Sequence, residues 1–216
     1  MHFENTSVYN IYNAILGARN PMNSWNKSDS VFNGFNGKIE NTVIGKNDLA
    51  LMQKLIKAGS EHRKFLRQIF VAVDITAPLY FFKELDTYKV GTVANSTSTM
   101  HKLASTPITI DCFEMDDFED CKDDSNVYVS AIWIESITRL EKLRQTYNAT
   151  KDKRYWKELI RLLPESWLQK RTITMNYENI LNMYRQRKNH KLTEWSKSFC
   201  DWVKTLPYAE ELICLE

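Results

Sequence analysis

The sequence predicts a mixed α/β (α+β) fold, a small central sheet flanked by helices, and three observations predict it. Ile69, Val71, Val73 and Ile75 stand at alternate positions, the period of a strand buried on one face. Val129, Trp133, Ile137, Leu140 and Leu143 recur every three or four residues, the period of a helix with one apolar face. A second strand pattern, "RTITMNY" at 171–177, lies too far along the chain from the first for a simple hairpin.

The elements follow in order. Residues 1–46 are rich in Asn, Ser and Gly with scattered aromatics (Trp25, Phe32, Phe35), and read as an irregular N-terminal arm preceding a domain over 47–216. Asn47 or Asp48 can cap a helix to about Ala58, striped by Leu49, Met52, Leu55 and Ile56. The strand ends at Pro78, which also suits the first turn of a short helix, "PLYFFKELDTYK". The polar stretch after it, to Lys102, reads as a loop. Eight carboxylates between Asp111 and Asp124 read as a solvated acidic loop, because no central glycine gives them calcium-loop spacing. After the helix over 127–147, "RYWKELIRLLP" is a helix ended by Pro164. Two more helices are expected at 177–188 and 192–205.

Composition narrows the function classes. With 29 basic and 27 acidic residues the net charge is +2, so no whole-molecule field steers the protein to nucleic acid, and any anion site must be local. Cys112, Cys121, Cys200 and Cys214 form no CxxC pair and read as reduced thiols. No apolar run reaches the roughly 18 residues of a membrane span, and the N-terminus lacks a basic region followed by an apolar one, so a cytoplasmic protein is expected.

Three constellations carry chemistry. Lys83 and Lys89 flank Tyr88 ahead of hydroxyls and amides that run to His101, a set suited to phosphate oxygens or to a solvated loop. Asn179, Asn182 and Gln186 share a helix face, with Arg187, His190 and Lys191 near its end as anion contacts or helix caps. Glu61 and His62 adjoin, but sequence neighbours on a helix point apart. No Walker A loop, GxSxG, HExxH or GxGxxG occurs, and the residues themselves assign no catalytic group.

Taken in order, "EHRKF" at 61–65, "AP" at 77–78, Thr87-Tyr88-Lys89 with Ser98 downstream, Leu163-Pro164 and "NYENILNMYRQR" resemble the flavin-dependent thymidylate synthase (ThyX) family from about Asp48 to Leu206. The resemblance implies FAD as cofactor, NADPH and methylenetetrahydrofolate as co-substrates, and a homotetramer acting as a methyltransferase on dUMP or a related pyrimidine nucleotide. It also implies that Glu61, Tyr88, Lys89, Asn176 and Asn182 lie on the flavin side. Lys83, Glu84, Ser98 and Arg187 would lie on the nucleotide side, with Lys89, Ser98 and Arg187 facing one cavity. Several positions depart from the family pattern. Its Arg-His-Arg triplet is Thr87-Tyr88-Lys89, its Ser-x-Arg is Ser98-Thr99-Met100, and the Arg of its Asn-x-Arg is Glu178. Ile160 stands in register with the Arg before "LP", although Arg161 adjoins it. At about 1.5–3 kcal/mol per charged hydrogen bond, three lost arginines weaken nucleotide binding by orders of magnitude unless other groups substitute. The alternative expectation is therefore a catalytically inactive protein of this fold that binds a nucleotide or a protein partner.

Overall fold

Six strands and nine α-helices order the chain in a computed structural model that describes residues 1–215. By contact the described chain divides into a larger unit (2–75, 85–95, 172–215) and a smaller one (1, 76–84, 96–171). The strands form one sheet in the order β2-β3-β1-β4-β6-β5. They are β1 His2–Tyr9, β2 Val31–Asn36, β3 Ile39–Val43, β4 Phe70–Pro78, β5 Val93–Ser96 and β6 Leu168–Asn176. Among the described residues, no helix is long and apolar enough to cross a membrane.

In the larger unit, the alternation seen at 69–75 buries Val71, Val73 and Ile75 along β4, with Ile69 buried just ahead of it. Residues 1–46 depart from the irregular arm expected of them. They supply β1, β2 and β3 together with helix α1, Ile11–Ala18. β1 runs parallel to β3, and β2 pairs antiparallel with it across the Gly37-Lys38 turn, with a register irregularity between Phe32 and Phe35. Their strand signal was weak because β2 keeps both faces largely exposed, so no apolar alternation marks it. α1 starts at Asn10, whose φ is +71° and whose side chain does not cap the helix. The cap comes instead from Glu40 of β3, whose buried carboxylate accepts the backbone N–H groups of Asn10, Ile11 (3.1 Å) and Tyr12 (2.7 Å).

Helix α2, Lys46–Lys57, buries Met52 and Ile56. Asp29 caps it by accepting from the N–H groups of Asn47 (2.9 Å) and Asp48 (3.1 Å). Asp48 is fully buried and accepts from Arg19 Nε and from the hydroxyls of Ser28 and Ser30. Burial works to raise its pKa, but these donors hold the carboxyl below the usual range. The region expected as a single helix over 192–205 is a π-helix, Glu194–Phe199, continued by a short α-helix at Cys200–Lys204. The wider turn sets Trp195 and Phe199 inward, both fully buried.

In the smaller unit, helix α3, Leu79–Leu85, has its first N–H groups satisfied by the carbonyls of Trp167 (3.1 Å) and Glu165 (3.2 Å). The stretch expected as one loop to Lys102 instead contains β5 and a single helical turn, α4, Thr99–Lys102. Helices α5 (Val129–Thr150) and α6 (Lys153–Leu162) close a second core around Leu103, Ile108, Phe113, Leu140 and Leu159. Trp133, Ile137 and Leu143 of the expected stripe pack against it. Part of the acidic stretch caps the start of α5: Asp120 accepts from the backbone N–H and hydroxyl of Ser130.

Candidate functional site

The larger unit assembles its polar residues around helix α7, Tyr177–Arg187. Asn176 caps α7 by accepting from Asn179 N–H (3.0 Å), and the Asn179 side chain accepts in return from Asn176 N–H (3.1 Å), a reciprocal capping box. The Asn179 amide also donates to the Val90 carbonyl (2.6 Å), which fixes the loop after α3 to the start of α7. A second tie lies near the far end of the helix. The Tyr88 hydroxyl donates to Gln186 Oε1 (2.9 Å) and accepts from Arg187 Nε (3.0 Å). The Arg187 guanidinium lies 5.3 Å from the centre of the Trp195 ring and 5.7 Å from that of Tyr88, within cation–π range of both.

Gly91 is where the loop needs a glycine. Its φ is +78°, and a Cβ there would sit 2.9 Å from Asn176 Nδ2 and 3.3 Å from Asn179 Oδ1. Beside this turn Tyr88, Lys89 and Thr92 line a cavity of about 270 Å³ with Asp86, Leu85, Ala94 and Ile173. The Thr92 hydroxyl is buried and makes no hydrogen bond among the described residues.

Glu178, the residue in place of the family arginine, is buried and holds two cations. Arg63 Nε donates to one carboxylate oxygen (3.0 Å) and Arg67 Nε to the other (3.1 Å). Arg63 also donates through Nη2 to Asn182 Oδ1 (3.1 Å). The sequence reading missed Arg63 and Arg67. The signal for them was the acid at 178 itself, since a buried carboxylate requires cations or donors. Glu61 and His62 are exposed and line a separate cavity of about 430 Å³ with Phe65, Gln68 and the 17–24 segment.

Of the nucleotide-side expectations, Arg187 alone belongs to this unit, joined to Tyr88. In the smaller unit, Lys83 pairs with Glu165 at 2.7 Å, and Glu84 follows it on α3. Ser98 caps the 99–102 turn by accepting from His101 N–H (3.3 Å). It lines a cavity of about 310 Å³ with Thr76, Thr97, Lys102, Trp167 and Lys170 among others.

No protein-family model matches the chain, and no curated protein matches it in sequence. Solved structures do match it. Thymidylate synthase X (ThyX) from Helicobacter pylori, crystallised with FAD and dUMP, superposes with a TM-score of 0.72 at 16% identity, covering 99% of this chain and 97% of that one. A second structure, flavin-dependent thymidylate synthase ThyX from Helicobacter pylori complexed with FAD and dUMP, gives 0.69 at 18% identity and covers both chains completely. Matched over nearly its whole length, the chain has the fold of flavin-dependent thymidylate synthase X.

Proposed function

We propose that the protein binds FAD and a pyrimidine nucleotide, dUMP or a relative, and acts on that nucleotide as a flavin-dependent, thymidylate-synthase-like methyltransferase. The observation that carries the reading is the whole-chain likeness to enzymes crystallised with FAD and dUMP. The residues around the 87–95 loop fit a phosphate-bearing cofactor. Thr92 offers a buried hydroxyl with no partner among the described residues, and Lys89 lines the same cavity, so a donor and a cation meet where phosphate oxygens would be held. Bound flavin would supply the redox chemistry and, with methylenetetrahydrofolate and NADPH, the one-carbon transfer. The chain's own residues bind and orient. Lys89 and Thr92 contact phosphate. Arg187, stacked near Trp195 and bonded to Tyr88, offers a guanidinium of fixed direction for the nucleotide. Ser98 and Lys83 belong to the nucleotide side, Glu61, Asn176 and Asn182 to the flavin side, in a cytoplasmic homotetramer.

A second reading, an inactive nucleotide binder of the same fold, is favoured by the engaged state of Tyr88. The hydroxyl at the triplet's histidine position is already shared between Gln186 and Arg187. One experiment tests the first reading and separates it from the second. The visible spectrum of the purified protein is recorded after incubation with FAD, together with thermal shifts for FAD and for dUMP. Flavin absorption that survives gel filtration supports the enzyme reading. Stabilisation by dUMP with no flavin retained supports the binder, since a ligand of the folded state raises the melting temperature. Neither response would overturn both.

A further inference from the structure

Three residues apart on a strand, Phe32 and Phe35 would ordinarily lie on opposite faces of β2. The register irregularity between them prevents this. Asn33 and Gly34 together stand against the single residue Asn41, with Gly34 at φ +84°, so Phe32 falls opposite Thr42 and Phe35 opposite Glu40. Thr42 and Glu40 are buried on the face where β3 caps α1, and both phenylalanines therefore join that face. There they form one run of aromatic rings with Tyr9 and Tyr12. The ring centres lie 6.1 Å apart from Tyr9 to Phe35, 6.0 Å from Phe35 to Phe32 and 6.1 Å from Phe32 to Tyr12. Tyr9, Phe32 and Phe35 remain 41%, 46% and 55% exposed, and Val31 and Val43, paired across the two strands, are about half exposed. The run follows β2, an end strand of the sheet. Exposed sheet edges are ordinarily guarded by charge. This one is not: no side chain from Ser30 to Gly37 is charged, and among the described residues the backbone of Val31–Asn36 makes no hydrogen bond beyond its ladder with β3.

We propose that this aromatic edge is where a second copy of the chain docks, the patch meeting the same patch across a two-fold axis. A contact of that kind is self-complementary and closes at two copies. An uncharged apolar patch matches itself, whereas a platform for single-stranded nucleic acid needs a basic track beside its rings, and β2 carries no cation. The area is adequate. Covering the exposed halves of three aromatic rings, two valines and the strand backbone removes about 500–600 Å² from each copy. The total of about 1,000–1,200 Å² sits at the lower end of specific interfaces, so the association is of micromolar strength and reversible. The bulge serves it twice. It gathers the rings on one face, and by interrupting the regular edge it keeps β2 from templating an open-ended sheet. The surface shares no residue with the proposed FAD and nucleotide contacts, so the inference stands or falls apart from them.

Sedimentation equilibrium of the full chain from about 1 to 100 µM tests it. The wild type is expected to double in mass across this range. Phe32→Thr/Phe35→Thr, which keeps a β-branched residue at each strand position, is expected to associate about 100-fold more weakly with an unchanged circular dichroism spectrum. Hydrogen exchange of the wild type supplies a check that needs no variant: the amides of residues 31–36 should exchange more slowly as concentration rises. A wild type whose mass does not change with concentration, a folded double variant that associates as well as the wild type, or 31–36 amides indifferent to concentration overturns the inference. Binding of a single-stranded oligonucleotide by a wild type that does not self-associate would assign the patch to that ligand and overturn it as well.

Discussion

Replacing Gly91 by alanine probes the joint between the loop and α7 at its tightest point. Two costs combine there. The residue holds φ at +78°, and an L-residue in that region costs about 1–2 kcal/mol. The new Cβ would also stand 2.9 Å from Asn176 Nδ2 and 3.3 Å from Asn179 Oδ1, the two side chains of the capping box. Displacing a cap costs about 0.5–2 kcal/mol. Together these give about 2–3 kcal/mol, or about 5–10 °C in melting temperature for a chain of this size. The assay is urea unfolding followed by circular dichroism, with Gly37→Ala as the control. Gly37 has φ +62°, and a methyl group placed there would meet nothing within 4 Å, so it reports the backbone cost alone. Equal losses for the two variants would refute the argument that Gly91 is required by its closeness to the cap.

Glu178→Ala leaves Arg63 without its buried partner and should destabilise the protein by about 3 kcal/mol, measurable as a fall in the urea midpoint. Glu178→Gln, which keeps the shape and one acceptor, should lose less. Arg187→Ala should weaken dUMP binding while leaving the thermal transition cooperative, and unchanged dUMP affinity by calorimetry would place the nucleotide elsewhere. Glu141 is held well below the usual carboxylate range, at about 2, by the Arg144 guanidinium against the opposing effect of burial, with the Ile108 N–H adding to the shift. Because its folded pKa lies below the unfolded value of 4.5, its contribution is complete above that pH and drains away between 4.5 and about 2. Solvent near the pair limits that contribution to about 1 kcal/mol, and Glu141→Gln should flatten the stability profile across this acid window.

Much of the architecture could be read from periodicity. The buried faces of β4 and α5 stood out because each carries its apolar residues at the spacing its geometry demands. Asn176 was marked by position, and its place at the cap of α7 follows from its short polar side chain ahead of a helical stripe. The N-terminal strands escaped notice for the opposite reason. Val31, Phe32 and Phe35 remain about half exposed, so they show no alternation to read, although Gly37, the first residue of the two-residue turn, was a hairpin signal in plain view. The π-helix was hidden because a window of six residues with aromatics near both ends looks the same under either helical period. At the candidate site, Arg187 and Lys89 were singled out through family spacing, and the structure puts Lys89 on a cavity wall and Arg187 against Tyr88. The Arg63–Glu178 pairing was not, since it joins residues 115 apart and only the folded chain brings them together.

The carboxylate of Glu40 ties the opening helix to a strand that is synthesised later: its acceptors meet N–H groups about thirty positions upstream. Until Glu40 arrives, α1 has an unanswered row of donors at its first turn and little reason to persist. The first forty-odd residues should consequently gain or lose their order as one cooperative block. A shortened chain ending before that glutamate would forfeit the helix along with the strand, while one that retains it could keep both.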